Sequence, residues 1–561
     1  MCTYIEFIGI FSYIDRGDLA IFGKLICSLN TEECMKKSLS LVLCCSAALC
    51  AAACTDSDGE SAASVCSSVS CSNGTCEEKS DGTAFCKCNA GFVNSSALVC
   101  VADIGGNNNN GGNNNNGGNN QNAPTCDGVS CSGHGTCSIA NDAAVCRCED
   151  GYTANGLECV SNVAAEFKKA EDWARARIAG TVSTEEAFNA IAYSDGFPVV
   201  TDDNTIIFMH WYNDGNWSVA GDFNDWSPQA MTHDNDIWYI EVPMPDNATE
   251  KGYYKFVNNG TDYVPDPWAL RYTYTEDGEI SFIVQPKSAH LMRWLGFKSP
   301  QGLKSRTLRA YIPANFDASK AHDVLYAHDG QNLFGPGSTY GSWDLDDAMA
   351  ALNANFIVIA MDNTEDRMSE YVHVDDAIND AGFGSYVALG PQYAEFVNNS
   401  VRPFAESKFK TTNKRGLMGS SLGGLISLYI ALTYPGEYRV ALALSPTTAW
   451  GRFGNDHGTT IEDLYVKAGH QNTILYLDNG GNATNECSPL NSALAKIDEN
   501  YNDNYCFTRH FVDTMAESVG YTWEQDLFHY YDPGALHNEQ AWSKRLNNLE
   551  TSPLKIFIEA N

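Results

Sequence analysis

Twelve cysteines crowded between positions 66 and 159, in a chain of 561 residues that holds 21 in all, constrain this molecule more than any other feature. They form two runs of one pattern, Cys66, Cys71, Cys76, Cys86, Cys88, Cys100 and then Cys126, Cys131, Cys137, Cys146, Cys148, Cys159. Each run has Gly-Thr-Cys at its middle (Gly74-Thr75-Cys76, Gly135-Thr136-Cys137) and closes with Cys-x-Cys, a Gly-aromatic pair (Gly91-Phe92, Gly151-Tyr152) and a last cysteine. Segments this short cannot bury a core sufficient to fold them, so cross-links must supply the stability. Such cross-links persist only in an oxidising space, which places this part of the chain outside the cytoplasm. After Cys159 only Cys487 and Cys506 remain.

The start of the chain fits export. Met35-Lys36-Lys37 is a positive segment, 38–49 is a short apolar run, and Ala51-Ala52-Ala53-Cys54 ends it in small residues and a cysteine. This arrangement resembles a bacterial lipoprotein signal over 35–53. The resemblance implies that Cys54 becomes the acylated N-terminus of an envelope protein, tethered through 54–65. Residues 1–34 fit no such logic, and translation is expected to begin at Met35. With Lys+Arg 35 against Asp+Glu 70, the formal charge of -35 repels phosphate backbones, so nucleic acid is excluded as a partner and membrane contact is expected only through the lipid.

The two cysteine runs, 66–100 and 126–159, resemble EGF-like modules. The resemblance implies first-to-third, second-to-fourth and fifth-to-sixth bridges: Cys66 to Cys76, Cys71 to Cys86 and Cys88 to Cys100, then Cys126 to Cys137, Cys131 to Cys146 and Cys148 to Cys159. The acidic calcium-binding signature is missing ahead of Cys66 and Cys126, so no calcium is expected. The modules read as a spacer arm, with protein binding the sharper alternative. Between them, 101–125 contains Gly-Gly and Asn-Asn-Asn-Asn blocks that can bury nothing and act as a linker.

A helical connector is expected over 160–196, and from 197 to 285 apolar and polar residues alternate between turn signals, the pattern of a small β-sandwich. Within it, Val219-Ala220-Gly221-Asp222-Phe223-Asn224-Asp225-Trp226-Ser227-Pro228, Tyr253-Tyr254-Lys255-Phe256-Val257 and Asp266-Pro267 resemble the glycogen-binding type of early-set domain. That resemblance implies glycan contact through Trp226 and Trp238; packing of the sandwich is the competing role for both.

From 286 to 561, short apolar strands alternate with helices, the signature of a mostly parallel sheet covered on both faces. Strands are expected at 308–312, 324–327, 356–361, 415–418, 440–444, 474–477 and 527–531. The fourth runs into Gly419-Ser420-Ser421-Leu422-Gly423-Gly424 and a helix. A bare G-x-S-x-G carries little weight among 47 glycines, but its position between strand and helix makes it a nucleophile elbow, with Ser421 exposed at the helix N-terminus. This fold orders its residues Ser, acid, His. His529 lies inside a strand and reads as structural, whereas His537 follows that strand on a loop and is the candidate base. On the residues alone, Asp478, Glu486 and Asp503 are all candidate acids.

The stretches His328-Asp329-Gly330-Gln331-Asn332-Leu333-Phe334, Asp362-Asn363-Thr364 with Arg367 and Glu370-Tyr371, Gly419 to Gly424, Ser445-Pro446 and His537-Asn538-Glu539 with Trp542 resemble the α/β-hydrolase group of esterase D, enterochelin esterase and feruloyl esterase relatives. The resemblance covers about 286–558. It implies that Asp478 is structural and that the acid comes a few residues later, here beyond an insertion, which favours Asp503 over Glu486. Cys487 and Cys506 bracket the insertion and are expected to pin it by a disulfide. For the oxyanion, one donor is Leu422 N–H; the resemblance points to Gln331 for the other, with Asn332 the alternative, and makes His328 architectural. No metal-ligand or phosphate-loop pattern occurs, so no cofactor or metal is expected. The expectation is therefore an exported serine esterase acting on a sugar, phenolic or siderophore ester. An acyltransferase of the same fold and a non-catalytic glycan-binding surface protein are the alternatives.

Overall fold

The computed structural model describes four strands within 74–102, most of 126–161, and 167–560 apart from 213, 251, 339, 379–383, 454–458 and 482–502. Residues 35–53, Cys54, the linker stretch 105–122, Glu486 and Cys487 lie outside the described residues. The chain divides into two compact units, Met1–Asn122 and Ala123–Asn561.

In the first unit, Gly74–Glu78 pairs antiparallel with Ala84–Cys88, and Phe92–Ser96 with Val99–Ala102. The second unit opens on the same pair of hairpins, Gly135–Ala140 with Ala143–Cys148 and Tyr152–Asn155 with Glu158–Ser161, so the repeated cysteine pattern coincides with a repeated backbone. Cys126 bridges Cys137 and Cys131 bridges Cys146, the first-to-third and second-to-fourth pairings, and Cys148 is also disulfide-bonded.

The expected helical connector is two helices, Ala170–Ile178 and Thr184–Tyr193. Ser183 starts the second by accepting from Glu186 N, while the Glu186 carboxylate takes the Ser183 N–H, a reciprocal cap that ends the run at 180–183 and begins it again. Two β-layers follow. One is the sheet of Thr232–Asp234, Ile237–Pro243, Thr205–Trp211 and Val199–Val200. The other contains Trp217–Gly221, Tyr253–Asn258, Gly278–Phe282 and Arg271–Thr275. Ile206, Phe208 and Val242 from the first layer and Val219, Tyr254 and Phe256 from the second share one buried cluster.

The second layer does not stop at 285. Arg271–Thr275 pairs with His290–Phe297, which pairs with Arg306–Ile312, and the sheet continues through Ile357–Met361, His322–His328, Thr411–Ser420, Val440–Leu444 and Ile474–Asn479 to Leu527–Tyr531. All seven expected strands are present; His290–Phe297 was not expected, because Arg293 interrupts its apolar pattern. Arg293 is tolerated there because Glu279 pairs with it at 2.6 Å and its guanidinium lies 4.2 Å from the Tyr272 ring centroid. Within this sheet Ile357–Met361, His322–His328, Thr411–Ser420, Val440–Leu444, Ile474–Asn479 and Leu527–Tyr531 pair with one another in parallel, while Ile357–Met361 is antiparallel to Arg306–Ile312. Every residue of Ile357–Met361 and Val440–Leu444 is buried, as strands covered on both faces require. One covering layer includes the helix Leu422–Thr433, and the other includes Leu345–Ala351, Glu539–Leu546 and Pro553–Glu559. Each buried Leu or Ile of these faces contributes about 1.5–3 kcal/mol of transfer free energy.

Candidate active site

Thr411–Ser420 lies between His322–His328 and Val440–Leu444 and leads directly into the helix Leu422–Thr433. Ser421, the residue between them, has φ 55 and ψ -122, a conformation that costs a non-glycine residue about 1–3 kcal/mol. The surroundings enforce it: Ser421 N donates to Leu444 O at 2.9 Å, while Ser421 O accepts from Leu425 N and Thr447 N at 3.1 Å each. The sharp turn depends on Gly419, where a Cβ would lie 2.4 Å from Gly423 O. Ser421 Oγ faces Thr447 Oγ1 at 3.4 Å, and Leu422 N–H opens the first turn of the helix beside it.

His537 sits on the loop after Leu527–Tyr531. Backbone bonds fix that loop to the end of the neighbouring strand, from Asp532 N to Asn479 O (2.9 Å), Gly534 N to Gly481 O (2.8 Å) and Gly481 N to Ala535 O (2.9 Å). Asn538 then caps the helix Glu539–Leu546 by accepting from Ala541 N, and Trp542 meets the imidazole edge-on with centroids 5.2 Å apart. The imidazole Nδ1 is 2.5 Å from Asp503 Oδ1. Ser421 and His537 line one cleft of about 590 Å³, together with Gln331, Asn332, Tyr340, Arg367, Glu539 and Trp542. Among the described residues no hydrogen bond joins Ser421 to His537; catalytic hydrogen bonds commonly tighten only when substrate is bound.

Asp503 is 1% exposed against 31% for His537, so a buried carboxylate supports a solvent-facing ring. Its second oxygen accepts from Ser445 Oγ at 2.7 Å and Gly480 N at 2.5 Å. Beneath it, Arg545 donates to Asp478 at 2.6 Å and to Ser445 Oγ at 3.0 Å, and lies 3.5 Å from Asp503. One buried guanidinium thus serves two carboxylates. Asp478 also accepts from Ser445 N at 2.9 Å, and complete burial pushes its carboxyl up to about 6 in spite of Arg545. Asp478 faces Arg545 and Ser445, not His537. Sequence reasoning missed Arg545 altogether and noted Ser445 only within the Ser445-Pro446 stretch, without a role, because the partners of both residues are distant in the chain.

The other wall is the turn 329–332. Asp329 is held by Arg367 through both carboxylate oxygens (2.7 and 2.9 Å) and by Asn363 Nδ2 (2.6 Å). Burial alone would raise its carboxyl, but these donors outweigh burial and hold it below the usual range. Asn332 N donates to Asp329 O at 2.9 Å inside the turn, which commits that N–H, and Gln331 Oε1 accepts from Asn363 N at 3.0 Å. His328 is fully buried against Tyr393 Oη (3.0 Å), and burial pushes its imidazole down to about 3, so it is neutral at ordinary pH. His529 Nε2 is 2.8 Å from Asn479 Oδ1 within the sheet. Cys506 is disulfide-bonded. Trp226 donates to Asp222 at 3.0 Å and Trp238 stacks on His233 with centroids 4.3 Å apart; Trp238 also packs against the core between the two β-layers. Among the described residues no cluster of three or more His, Cys, Asp or Glu could hold a metal ion, and no helix is long and apolar enough to cross a membrane.

Residues 303–550 match the family model described as "Putative esterase". Among curated proteins, the chain is 27% identical over 138 residues to the uncharacterized protein YbbA of Bacillus subtilis (strain 168), a match covering 24% of this chain and 54% of that one. The chain therefore spans about half the length of that curated relative. Among solved structures, the enterochelin esterase of Shigella flexneri is similar at 15% identity, with 63% of this chain and 92% of that one covered and a TM-score of 0.33. The siderophore hydrolase EstB of Aspergillus nidulans is similar at 15% identity, covering 47% and 94%, with a TM-score of 0.34.

Proposed function

We propose that the protein hydrolyses carboxylic esters through an acyl-enzyme on Ser421. The observation that carries the reading is one cleft shared by a serine at a strained strand-to-helix turn and a histidine whose far nitrogen is bound by a buried carboxylate. In this mechanism His537 Nε2 takes the proton as Ser421 Oγ attacks the ester carbonyl. It returns that proton to the departing alkoxide, and then activates the water that releases the acid. Asp503 keeps the Nδ1 proton in place and stabilises the imidazolium. The oxyanion is held by Leu422 N–H and Gln331 N–H; the choice of Gln331 over Asn332 is supported by the bond from Asn332 N to Asp329 O. Changing Ser421 to Ala should lower turnover of p-nitrophenyl acetate on the order of a millionfold with folding intact. Ordinary turnover in that variant would refute the assignment.

The ester belongs to the sugar, phenolic or siderophore classes, and the two β-layers preceding the catalytic part act as an early-set domain. The protein is placed outside the cytoplasm by a lipid on Cys54, ahead of its disulfide-bonded modules. Cys54→Ser should leave esterase activity intact while shifting the protein out of the membrane fraction; a variant processed and sedimenting as before would refute the anchor.

A further inference from the structure

Two tyrosines of one strand pack behind segments that line the cleft without lining it themselves. The strand Arg271–Thr275 precedes the catalytic residues in the chain and belongs to the second β-layer, yet the rings of Tyr272 and Tyr274 both pack with the core beneath the cleft-forming helices. Tyr274 lies directly against the backbone of Gly335: a Cβ there would sit 2.0 Å from Tyr274 Cδ2 and 2.2 Å from Cε2, and the φ of +56 also favours glycine. Gly335 is three residues beyond Asn332 and begins the loop that carries Ser338 and Tyr340, both of which line the cleft. Ser338 and Gly341 exchange backbone bonds of 3.1 and 3.0 Å, so the loop is a closed turn, and the Tyr274 ring fixes where that turn starts.

Tyr272 braces the same region from the other side. Its hydroxyl accepts from Arg309 Nη1 at 3.0 Å, and Arg309 grips both oxygens of Asp362 at 2.7 and 2.8 Å. Asp362 Oδ1 would lie only 2.7 Å from a Cβ on Gly330, and the next residue, Asn363, donates to Gln331 Oε1 and to Asp329 Oδ1. The turn 329–332 is thus held between the Arg309–Asp362 pair and the loop seated on Tyr274.

We propose that Tyr274 is a positioning residue for ester hydrolysis: through its ring contact with Gly335, the second β-layer sets the oxyanion turn that carries Gln331. This rests on the reading of Ser421 as nucleophile. Misplacing a transition-state donor by a fraction of an ångström lowers turnover more than ground-state binding, whereas a tyrosine that merely fills space lowers stability alone.

The test uses the full chain and compares wild type, Tyr274→Phe, Tyr274→Leu and Tyr274→Ala. For each, kcat and KM are measured on p-nitrophenyl acetate, with the inhibition constant of phenylboronic acid, whose tetrahedral adduct with serine fills the oxyanion site. Tyr274→Ala should lose on the order of 10- to 100-fold in kcat with a small change in KM, and the boronate constant should rise in parallel. Tyr274→Phe, which keeps the ring on Gly335, should restore both; Tyr274→Leu fills the volume and supplies the measurement if the alanine variant does not fold. Turnover and boronate affinity within twofold of wild type in folded Tyr274→Ala or Tyr274→Leu would overturn the proposal, as would an equal loss in Tyr274→Phe. Wild-type protein without any turnover would instead overturn the parent reading.

Discussion

Replacing Asp503 by Asn changes one atom, and the surrounding hydrogen bonds determine the consequence. Asp503 Oδ2 receives two donors, Gly480 N at 2.5 Å and Ser445 Oγ at 2.7 Å, with Arg545 at 3.5 Å, while Oδ1 faces His537 Nδ1 at 2.5 Å. An amide must turn its oxygen toward the donors, which leaves its NH2 against His537. Nδ1 then becomes an acceptor and the ring proton moves to Nε2, the atom required to accept from Ser421. The same inversion of tautomer in serine proteases lowers kcat about 10⁴-fold, equivalent to roughly 5.5 kcal/mol of barrier. Burial strengthens the preference, since Asp503 is 1% exposed and an unpaired donor there would cost about 1–3 kcal/mol. Steady-state kinetics on p-nitrophenyl acetate should therefore show Asp503→Asn with kcat reduced on the order of 10⁴-fold and KM little changed, beside a near-normal Glu486→Gln. Asp503→Asn with more than a tenth of wild-type kcat, or a comparable collapse in Glu486→Gln, would refute the reasoning.

Two further outcomes concern stability. Arg545→Met removes the cation between two buried carboxylates and should cost about 3–5 kcal/mol in urea unfolding. The loss should shrink toward pH 5, where Asp478, pushed up to about 6 by burial, takes a proton; a loss below about 1 kcal/mol would contradict the network. Thermal stability should also fall from pH 7 to pH 6. Burial pushes His210, His290 and His529 down to about 4 and His328 to about 3. Above pH 6.5 these rings are neutral folded or unfolded; below it the unfolded chain binds protons that the folded chain refuses, at up to about 1.4 kcal/mol per pH unit for each group. Burial lowers His373 as well, while the carboxyls that burial raises, Asp266 and Asp478 to about 6 and Asp346, Asp362 and Glu539 in the same direction, act in the opposite sense only below their raised values, so the imidazoles dominate from pH 7 down to about 6, the interval in which the fall begins. A melting temperature that rises between pH 7 and 6 would contradict these burial assignments.

The elbow could be read from sequence because its requirements are local: Gly419 must lack a Cβ at 2.4 Å from Gly423 O, and the strand and helix on either side have their own periodicity. His537 followed from chain order, and Asp503 from order plus a resemblance. Arg545 could not be read, since its partners Asp478 and Asp503 lie 67 and 42 positions away and one arginine in an amphipathic helix looks like a surface residue. The continuation of the sheet through His290–Phe297 could not be read from sequence, because a strand holding Arg293 reads as exposed until Glu279 and Tyr272 are known to cover it. Tyr272 and Tyr274 were hidden for the same reason: their alternation marks a strand but says nothing of the loop that rests on them.

The central claim, that Ser421 is an activated nucleophile, is tested most directly by reacting folded wild-type protein with a fluorophosphonate and locating the adduct by mass spectrometry. The account predicts a single adduct on Ser421, formed in step with loss of esterase activity and absent in Ser421→Ala. A folded wild-type protein that stays unlabelled, or one labelled at another residue while Ser421 remains free, would contradict it.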